Sequence, residues 1–134
     1  MSEPAQSLTA YGEALGIRLY EAATSAIDGP ILTVDFGSTV EGRPGHFHGG
    51  ATAGLLETAG YAALRHALRA DKREAVLKPI NITTQYLSAG KPKPTFARGR
   101  ITRLGRRNAN LTVEAWQDDP ARPIATAVMN ILMA

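Results

Sequence analysis

The chain has 134 residues, of which 44% are hydrophobic and 20% charged, and its formal net charge is +3. This composition is typical of one domain over residues 1–134, with enough apolar residues for a core without disulfides. Because cysteine is absent, disulfides, thiolate-bound metals and a cysteine nucleophile are excluded. No apolar run approaches the roughly 20 residues of a membrane span, and the N-terminus lacks signal-peptide features, so a cytoplasmic protein is predicted.

The charge is unevenly distributed along the chain. Residues 65–107 hold 12 of the 15 Lys and Arg residues and only two of the 12 acidic residues, Asp71 and Glu74. This concentration favours an anionic partner at one place on the surface. The alternative is a set of solvated strand edges, where basic side chains oppose aggregation. Nucleic acid is the less favoured anion, because the sequence shows neither aromatic–basic interleaving of the RNA-binding type nor a helix-turn-helix pattern.

The apolar periodicity and the turn residues predict two helices and six strands. In chain order, a short helix covers residues 7–15, a hairpin joins strands 17–23 and 31–36 at a turn over 28–30, and a loop covers 41–48. One long helix over 49–69 precedes strands 80–87, 95–104, 108–116 and 124–133. Because the last links are short, we expect the last four strands to form an antiparallel meander. The last strand is apolar on both faces, which indicates a central position.

The first half of the long helix has no polar stripe. Between Gly49 and Leu64 it carries Glu57 as its single charge, and it contains Gly54 and Gly60, which only close approach by another element would justify. One helix covers six strands only if the sheet curves around it. The sequence therefore predicts an α+β fold in which a curved antiparallel sheet of about six strands wraps one long buried helix, with a short N-terminal helix.

Two features of the long helix suggest chemistry. His48, Gly49 and Gly50 stand where the helix begins, so N–H groups without intrahelical partners and the positive end of the helix dipole are open to a ligand. This arrangement suits an anion site or an oxyanion hole, although a glycine-rich helix start without a ligand is the alternative. Burying the lone carboxylate of Glu57 is costly unless it has a function, reaches solvent or pairs with a residue of the basic segment.

Other polar and aromatic residues suggest less specific roles. His46 and His48 have metal-ligand spacing, but two imidazoles without a third ligand do not predict a metal site. Trp116 alternates with an inward-facing apolar set, which indicates an exposed face or a subunit contact.

The order of motifs resembles a known family. The pattern H-G-G-x-x-x-x-L-x-E-x-A-x-x-A is similar to the helix of the hotdog-fold acyl-CoA thioesterases of the 4-hydroxybenzoyl-CoA and phenylacetate-degradation type. Its fixed positions are His48, Gly49, Gly50, Leu55, Glu57, Ala59 and Ala62. The strand over 82–89 (ITTQYLSA) and the turn over 103–107 (RLGRR) resemble the family's later motifs, so the resemblance covers about residues 8–133.

The resemblance implies a hotdog fold, a homodimer that often pairs into a tetramer, and hydrolysis of an acyl-CoA thioester. It also implies that Gly49 donates its N–H to the thioester carbonyl, with His48 and Gly50 beside it, and that Glu57 is the nucleophile or general base. Coenzyme A is then part of the substrate, with no separate cofactor or metal. Basic and polar residues at strand ends and turns are expected to hold its phosphates: Lys91, Lys93, Arg103, Arg106, Arg107 and Ser88.

One position departs from the family pattern. The family usually has Asn or Gln six or seven residues before the histidine, where this chain has Gly42 and Glu41. A non-catalytic acyl-CoA-binding protein therefore remains the alternative to a thioesterase, with a hotdog dehydratase third. The acyl group, aryl or medium-chain, is left open.

The spacing of Gly49 and Glu57 also bears on assembly. Eight residues of helix separate them by about 12 Å, so both groups of one chain cannot readily meet at one thioester carbon. We therefore expect active sites shared across a two-fold dimer, with Gly49 from one subunit and Glu57 from the other.

Overall fold

The computed structural model describes residues 8–134. The helices are α1 (Ala10–Ala14) and α2 (Gly49–Ala70). The strands are β1 (Arg18–Glu21), β2 (Asp28–Val34), β3 (Leu77–Tyr86), β4 (Thr95–Leu104), β5 (Asn108–Trp116) and β6 (Ala125–Met133). The six strands form one antiparallel sheet in the order β1-β2-β4-β5-β6-β3, and α2 packs against its inner face. The predicted α+β architecture, one long helix wrapped by a curved six-stranded sheet, is confirmed.

Helix α2 is buried on almost every face. Leu55, Leu56 and Leu64 are fully enclosed, and the main contacts of the helix are with β2, β4 and β5. The two helical glycines lie at close approaches, as predicted. A Cβ at Gly60 would collide with the side chain of Met129, and a Cβ at Gly54 would lie 2.8 Å from Leu15 Cδ1. The glycines therefore let the sheet and α1 come close to the helix.

The predicted meander of the last four strands is wrong for β3. Strand β3 pairs with β6 at the edge of the sheet, whereas β4 lies between β2 and β5. Pro79 lies within β3, and proline, which has no N–H to donate, is tolerated at a sheet edge. The predicted central position of β6 is confirmed, because it lies between β5 and β3.

The predicted turn over residues 28–30 is also wrong, because those residues belong to β2. The chain turns earlier, between β1 and β2, and the two strands still form the predicted antiparallel hairpin. Gly29 serves close packing, since a Cβ there would lie 2.5 Å from Cβ of Ala63 on α2. Pro30 is tolerated at the register shift between Asp28 and Ile31.

The remaining boundaries agree with the predictions to within a few residues. Helix α1 begins after the N-cap Thr9, whereas residue 7 of the predicted helix lies outside the described residues. Strands β4 and β5 have the predicted bounds, and Trp116 lies on the outer face of the sheet, stacked on Phe96. None of the helices in residues 8–134 is long and apolar enough to cross a membrane.

Candidate active site

The start of α2 is capped by a histidine side chain. His48 has an extended backbone and its Nδ1 accepts the N–H of Gly50 at 2.8 Å. The carbonyl oxygen of His48 accepts the N–H groups of Ala51 and Thr52, at 3.0 and 3.1 Å. Within residues 8–134 the N–H of Gly49 has no hydrogen-bond partner, so of the two candidate glycines Gly49 has the free donor.

A cavity of about 320 Å³ opens beside Gly49. Phe47, Thr52, Tyr86 and Ser88 contribute to its walls. The hydroxyl of Tyr86 donates to the carbonyl oxygen of Gly49 at 2.9 Å, which ties the end of β3 to the start of α2. Sequence reasoning missed Tyr86, although its alternation with Ile82 and Thr84 along β3 places it on the inner face.

Glu57 is partly buried, and its partner is a tyrosine one helical turn later. The hydroxyl of Tyr61 donates to Oε2 of Glu57 at 3.0 Å. Burial and this hydrogen bond raise the pKa of Tyr61 to about 12, so the hydroxyl stays a proton donor at neutral pH. Sequence reasoning allows a basic partner for Glu57 and misses Tyr61, although the i, i+4 spacing is a visible signal.

Arg65 lies on the same face of α2 as Glu57 and Tyr61, four residues after Tyr61, and these positions form one stripe along the helix. Its guanidinium carbon lies 5.8 Å from the centre of the Tyr61 ring, and burial lowers its pKa from the ordinary value. Its Nη1 is buried and has no hydrogen-bond partner in the described part of the chain. Ala53, Glu57 and Arg65 are partly exposed, so this stripe is the least covered face of the helix.

Gly49 and Glu57 are not brought together within one chain. They lie eight residues apart on α2, a rise of about 12 Å. Because α2 is continuous from Gly49 to Ala70, the two residues lie on one helix, as predicted.

The candidate coenzyme A residues divide between two ends of the sheet. An exposed arginine turn, which consists of Arg103, Arg106 and Arg107, joins β4 to β5. Tyr86 and Ala115 both pair with Ala125, so Ala115 lies at the end of the sheet where Tyr86 contacts Gly49. Ala109 comes six residues earlier in β5 and pairs with Leu104 beside the turn. Six residues of a strand span about 20 Å, so the turn lies about that far from the Gly49 end.

Lys91 and Ser88 lie near Gly49 instead. They contribute to a second cavity of about 340 Å³ that shares Ser88 with the first, and Arg122, which sequence reasoning missed, also lines it. Lys93 is paired with Asp118 at 2.6 Å, which lowers the pKa of that carboxyl.

The structure gives a reason for the departure at Gly42. A Cβ at this position would lie 2.9 Å from Cα of His48, so the backbone leaves no room for an amide side chain. The neighbouring Glu41 accepts the N–H of Gly45 at 2.8 Å. Nδ1 of His46 lies 3.0 Å from the carbonyl oxygen of Pro44, and no group of three potential metal ligands occurs in residues 8–134.

Solved structures with the same fold include several bacterial proteins. A conserved protein of Pseudomonas aeruginosa has 18% identity and a TM-score of 0.83, with 97% of this chain and 98% of that chain covered. A thioesterase of Haemophilus influenzae has 17% identity and a TM-score of 0.82, with coverage of 98% and 87%. A hypothetical thioesterase of Streptococcus pneumoniae, solved with coenzyme A, has 14% identity and a TM-score of 0.76, with coverage of 91% and 89%.

These likenesses identify the hotdog fold. No curated protein sequence matches the chain. The sequence profile of the thioesterase superfamily matches residues 44–124, which include the capped start of α2, Glu57 and the arginine turn. The chain belongs to the thioesterase superfamily.

Proposed function

We propose that the protein hydrolyses an acyl-CoA thioester, with an aryl or medium-chain acyl group, to the free acid and coenzyme A. The observation that carries the proposal is the N–H of Gly49, which has no partner within residues 8–134, in a member of the thioesterase superfamily. This N–H lies at the positive end of a 22-residue helix and beside an open cavity. It suits a carbonyl oxygen that becomes negatively charged during the reaction.

Glu57 supplies the second group that the reaction needs. As general base it takes a proton from water while the water oxygen bonds to the thioester carbon and the carbonyl electrons move onto oxygen. The N–H of Gly49 stabilises that oxyanion. The C–S bond then breaks and the thiolate of coenzyme A receives the proton from Glu57. Direct attack by the carboxylate, giving an acyl anhydride that water hydrolyses, is the alternative route.

A two-fold dimer brings these groups together. Ala53 lies midway between Gly49 and Glu57, four residues from each, and its small side chain is partly exposed. Antiparallel packing of two α2 helices about an axis near Ala53 places Gly49 of each subunit beside the partner's Glu57.

The edge strand supports the same assembly. Within residues 8–134, β3 has a strand neighbour on one side only, and Ile80, Tyr86 and Leu87 at this edge are each more than half exposed. A row of unpaired backbone groups with apolar side chains is a template for pairing with a second copy. We propose that β3 pairs with its counterpart across the two-fold axis.

The same proposed symmetry supports roles for the basic residues. The carbonyl oxygen of Arg107 accepts the N–H of Met133, and Met133 pairs with Leu77, so the arginine turn lies beside the start of β3. An antiparallel two-fold brings the partner's arginine turn to the end of the assembly where Gly49 lies. We propose that this turn, with Lys91 and Ser88, binds the phosphates of coenzyme A.

A hydrolysis screen tests the proposal. Aryl, short-chain, medium-chain and long-chain acyl-CoAs are each incubated with the protein, and release of free thiol is followed. We expect turnover of at least one class, which the Glu57→Gln variant loses. Binding of acyl-CoA without thiol release from any class would contradict the proposal and would indicate an acyl-CoA-binding protein instead.

A further inference from the structure

Thr52 is a polar residue in the wall of the Gly49 cavity, one helical turn after that glycine. Its side chain is almost fully enclosed, with 5% of the residue exposed. In the described part of the chain its hydroxyl makes no hydrogen bond, and the hydroxyl oxygen is not fully enclosed by protein. The hydroxyl is therefore both unpaired and within reach of solvent.

The backbone explains why this hydroxyl is unpaired. A threonine inside a helix commonly donates to the carbonyl oxygen four residues earlier. Thr58 does so, because its hydroxyl donates to the oxygen of Gly54 at 2.7 Å. For Thr52 that acceptor would be the oxygen of His48, which already accepts the N–H groups of Ala51 and Thr52. A carbonyl oxygen has two lone pairs, so the oxygen of His48 has none left for the hydroxyl.

The direction of the helix places the Thr52 side chain near the candidate donor. Side chains in an α-helix lean towards the N-terminus and lie over the residue three or four positions earlier. For Thr52 those residues are Gly49 and His48, and the N–H of Gly49 is also without a partner within residues 8–134. Two donors that are free among the described residues thus border one cavity at the start of the helix.

We propose that the hydroxyl of Thr52 is a second hydrogen-bond donor to the thioester carbonyl oxygen, beside the N–H of Gly49. The inference rests on the proposed thioesterase function. The position of Gly42 leaves no room for the Asn or Gln side chain that the family usually has, and the Thr52 hydroxyl provides a side-chain donor in this chain instead. The hydroxyl adds a second donor to the same oxygen, and its contribution grows as the oxygen becomes negatively charged, so it acts mainly on kcat.

The test compares Thr52→Val, which keeps the shape of the side chain, with Thr52→Ser, which keeps the hydroxyl. Thr58→Val is the matched control, because it removes a hydroxyl that already donates within the same helix. On the best acyl-CoA substrate we expect Thr52→Val to lower kcat about 10²-fold, the usual effect of losing one oxyanion donor. Thr52→Ser and Thr58→Val should stay within about threefold of the parent, because neither removes a donor to the carbonyl oxygen.

A second measurement separates this inference from the proposed function. A non-hydrolysable ketone analogue of benzoyl-CoA, with a methylene in place of sulfur and a ¹³C-labelled carbonyl, is bound to each variant and its infrared carbonyl band recorded. We expect the band at lower frequency in the parent and in Thr58→Val than in Thr52→Val. If the parent binds the analogue with this pattern but releases no thiol from any acyl-CoA, the hydrolase proposal fails and the donor role of Thr52 stands. A band unchanged by Thr52→Val, or no binding of the analogue by the parent, would overturn the inference.

Discussion

Replacing Glu57 with glutamine removes the carboxylate while keeping the size of the side chain. The side-chain carbonyl of glutamine still accepts the hydroxyl of Tyr61, which donates to Oε2 of Glu57 at 3.0 Å in the structure. Because this hydrogen bond and the partial burial of the side chain at position 57 are preserved, we expect the free energy of unfolding to change by less than about 1 kcal/mol.

The effect on catalysis should be much larger. Loss of a general base lowers turnover by at least about 10²-fold, which corresponds to about 2.7 kcal/mol in the activation free energy. The assay is thiol release on the best acyl-CoA, combined with urea unfolding of the same samples. Glu114→Gln is the matched control, because Glu114 is an exposed carboxylate on the outer face of β5, opposite the face that packs on α2, and its variant should retain full activity.

Two results would refute this reasoning. A Glu57→Gln variant within threefold of the parent would show that the carboxylate is not the base or nucleophile. A loss of activity that is matched by a comparable loss of stability would show that Glu57 supports the fold instead.

Three further predictions concern ionisation, substrate binding and packing. The Tyr61 phenol, with a pKa raised to about 12, contributes stability that is complete below about pH 10 and is lost as the pH rises through 12. Glu57→Gln should lower this pKa part of the way towards its ordinary value, since burial remains, and tyrosinate absorbance measured against Tyr61→Phe reports it. Alanine substitution of the arginine turn should raise KM for acyl-CoA and leave kcat unchanged, whereas the same acyl group on N-acetylcysteamine should be unaffected; the residues replaced are Arg103, Arg106 and Arg107. Gly60→Ala should destabilise the protein by about 1–3 kcal/mol in urea unfolding, because its collision with Met129 outweighs the helix propensity gained, and a stabilised variant would contradict the close packing.

Much of the fold follows from local sequence signals. The absence of a polar stripe in α2, together with its two central glycines, predicts a buried helix with close neighbours. Strands β4 and β5 have clear alternation and short links, and their bounds agree with the structure. These properties depend on residues that are close together in the chain.

The strand order does not follow from such signals. The partner of β3 depends on which sheet edge is free after β4 has paired on both sides, and this is a property of the whole sheet. Pro79 is the one local clue, because it disfavours a central position. The turn predicted at Gly29 is wrong because a glycine needed for packing against Ala63 gives the same sequence signal as a glycine in a turn.

Only part of the candidate site can be predicted from local sequence signals. Gly49 and Glu57 follow from a motif and from helix geometry. The contacts of Tyr86 with Gly49 and of Ser88 with the cavity join segments about 40 residues apart, so only the folded chain reveals them. Within residues 8–134 the hydroxyl of Thr52 is free because the oxygen of His48 already accepts two N–H groups, which no sequence pattern reports.

Subunit mixing tests the central claim, a hydrolase site shared across a dimer, most directly. One parent carries Glu57→Gln. The other carries Gly49→Pro, which removes the N–H at the first helical position, where proline is tolerated. The extended backbone of His48 suits a following proline, and a Cβ at Gly49 would meet Tyr86 no closer than 3.6 Å.

Each parental dimer has a defect in both sites. In a mixed dimer one site receives both defects and the other receives none. The account predicts that two inactive parents regain thiol release on mixing, up to half of the unmodified activity per heterodimer. Verified heterodimers that remain inactive, formed from parents that are both folded, would contradict it.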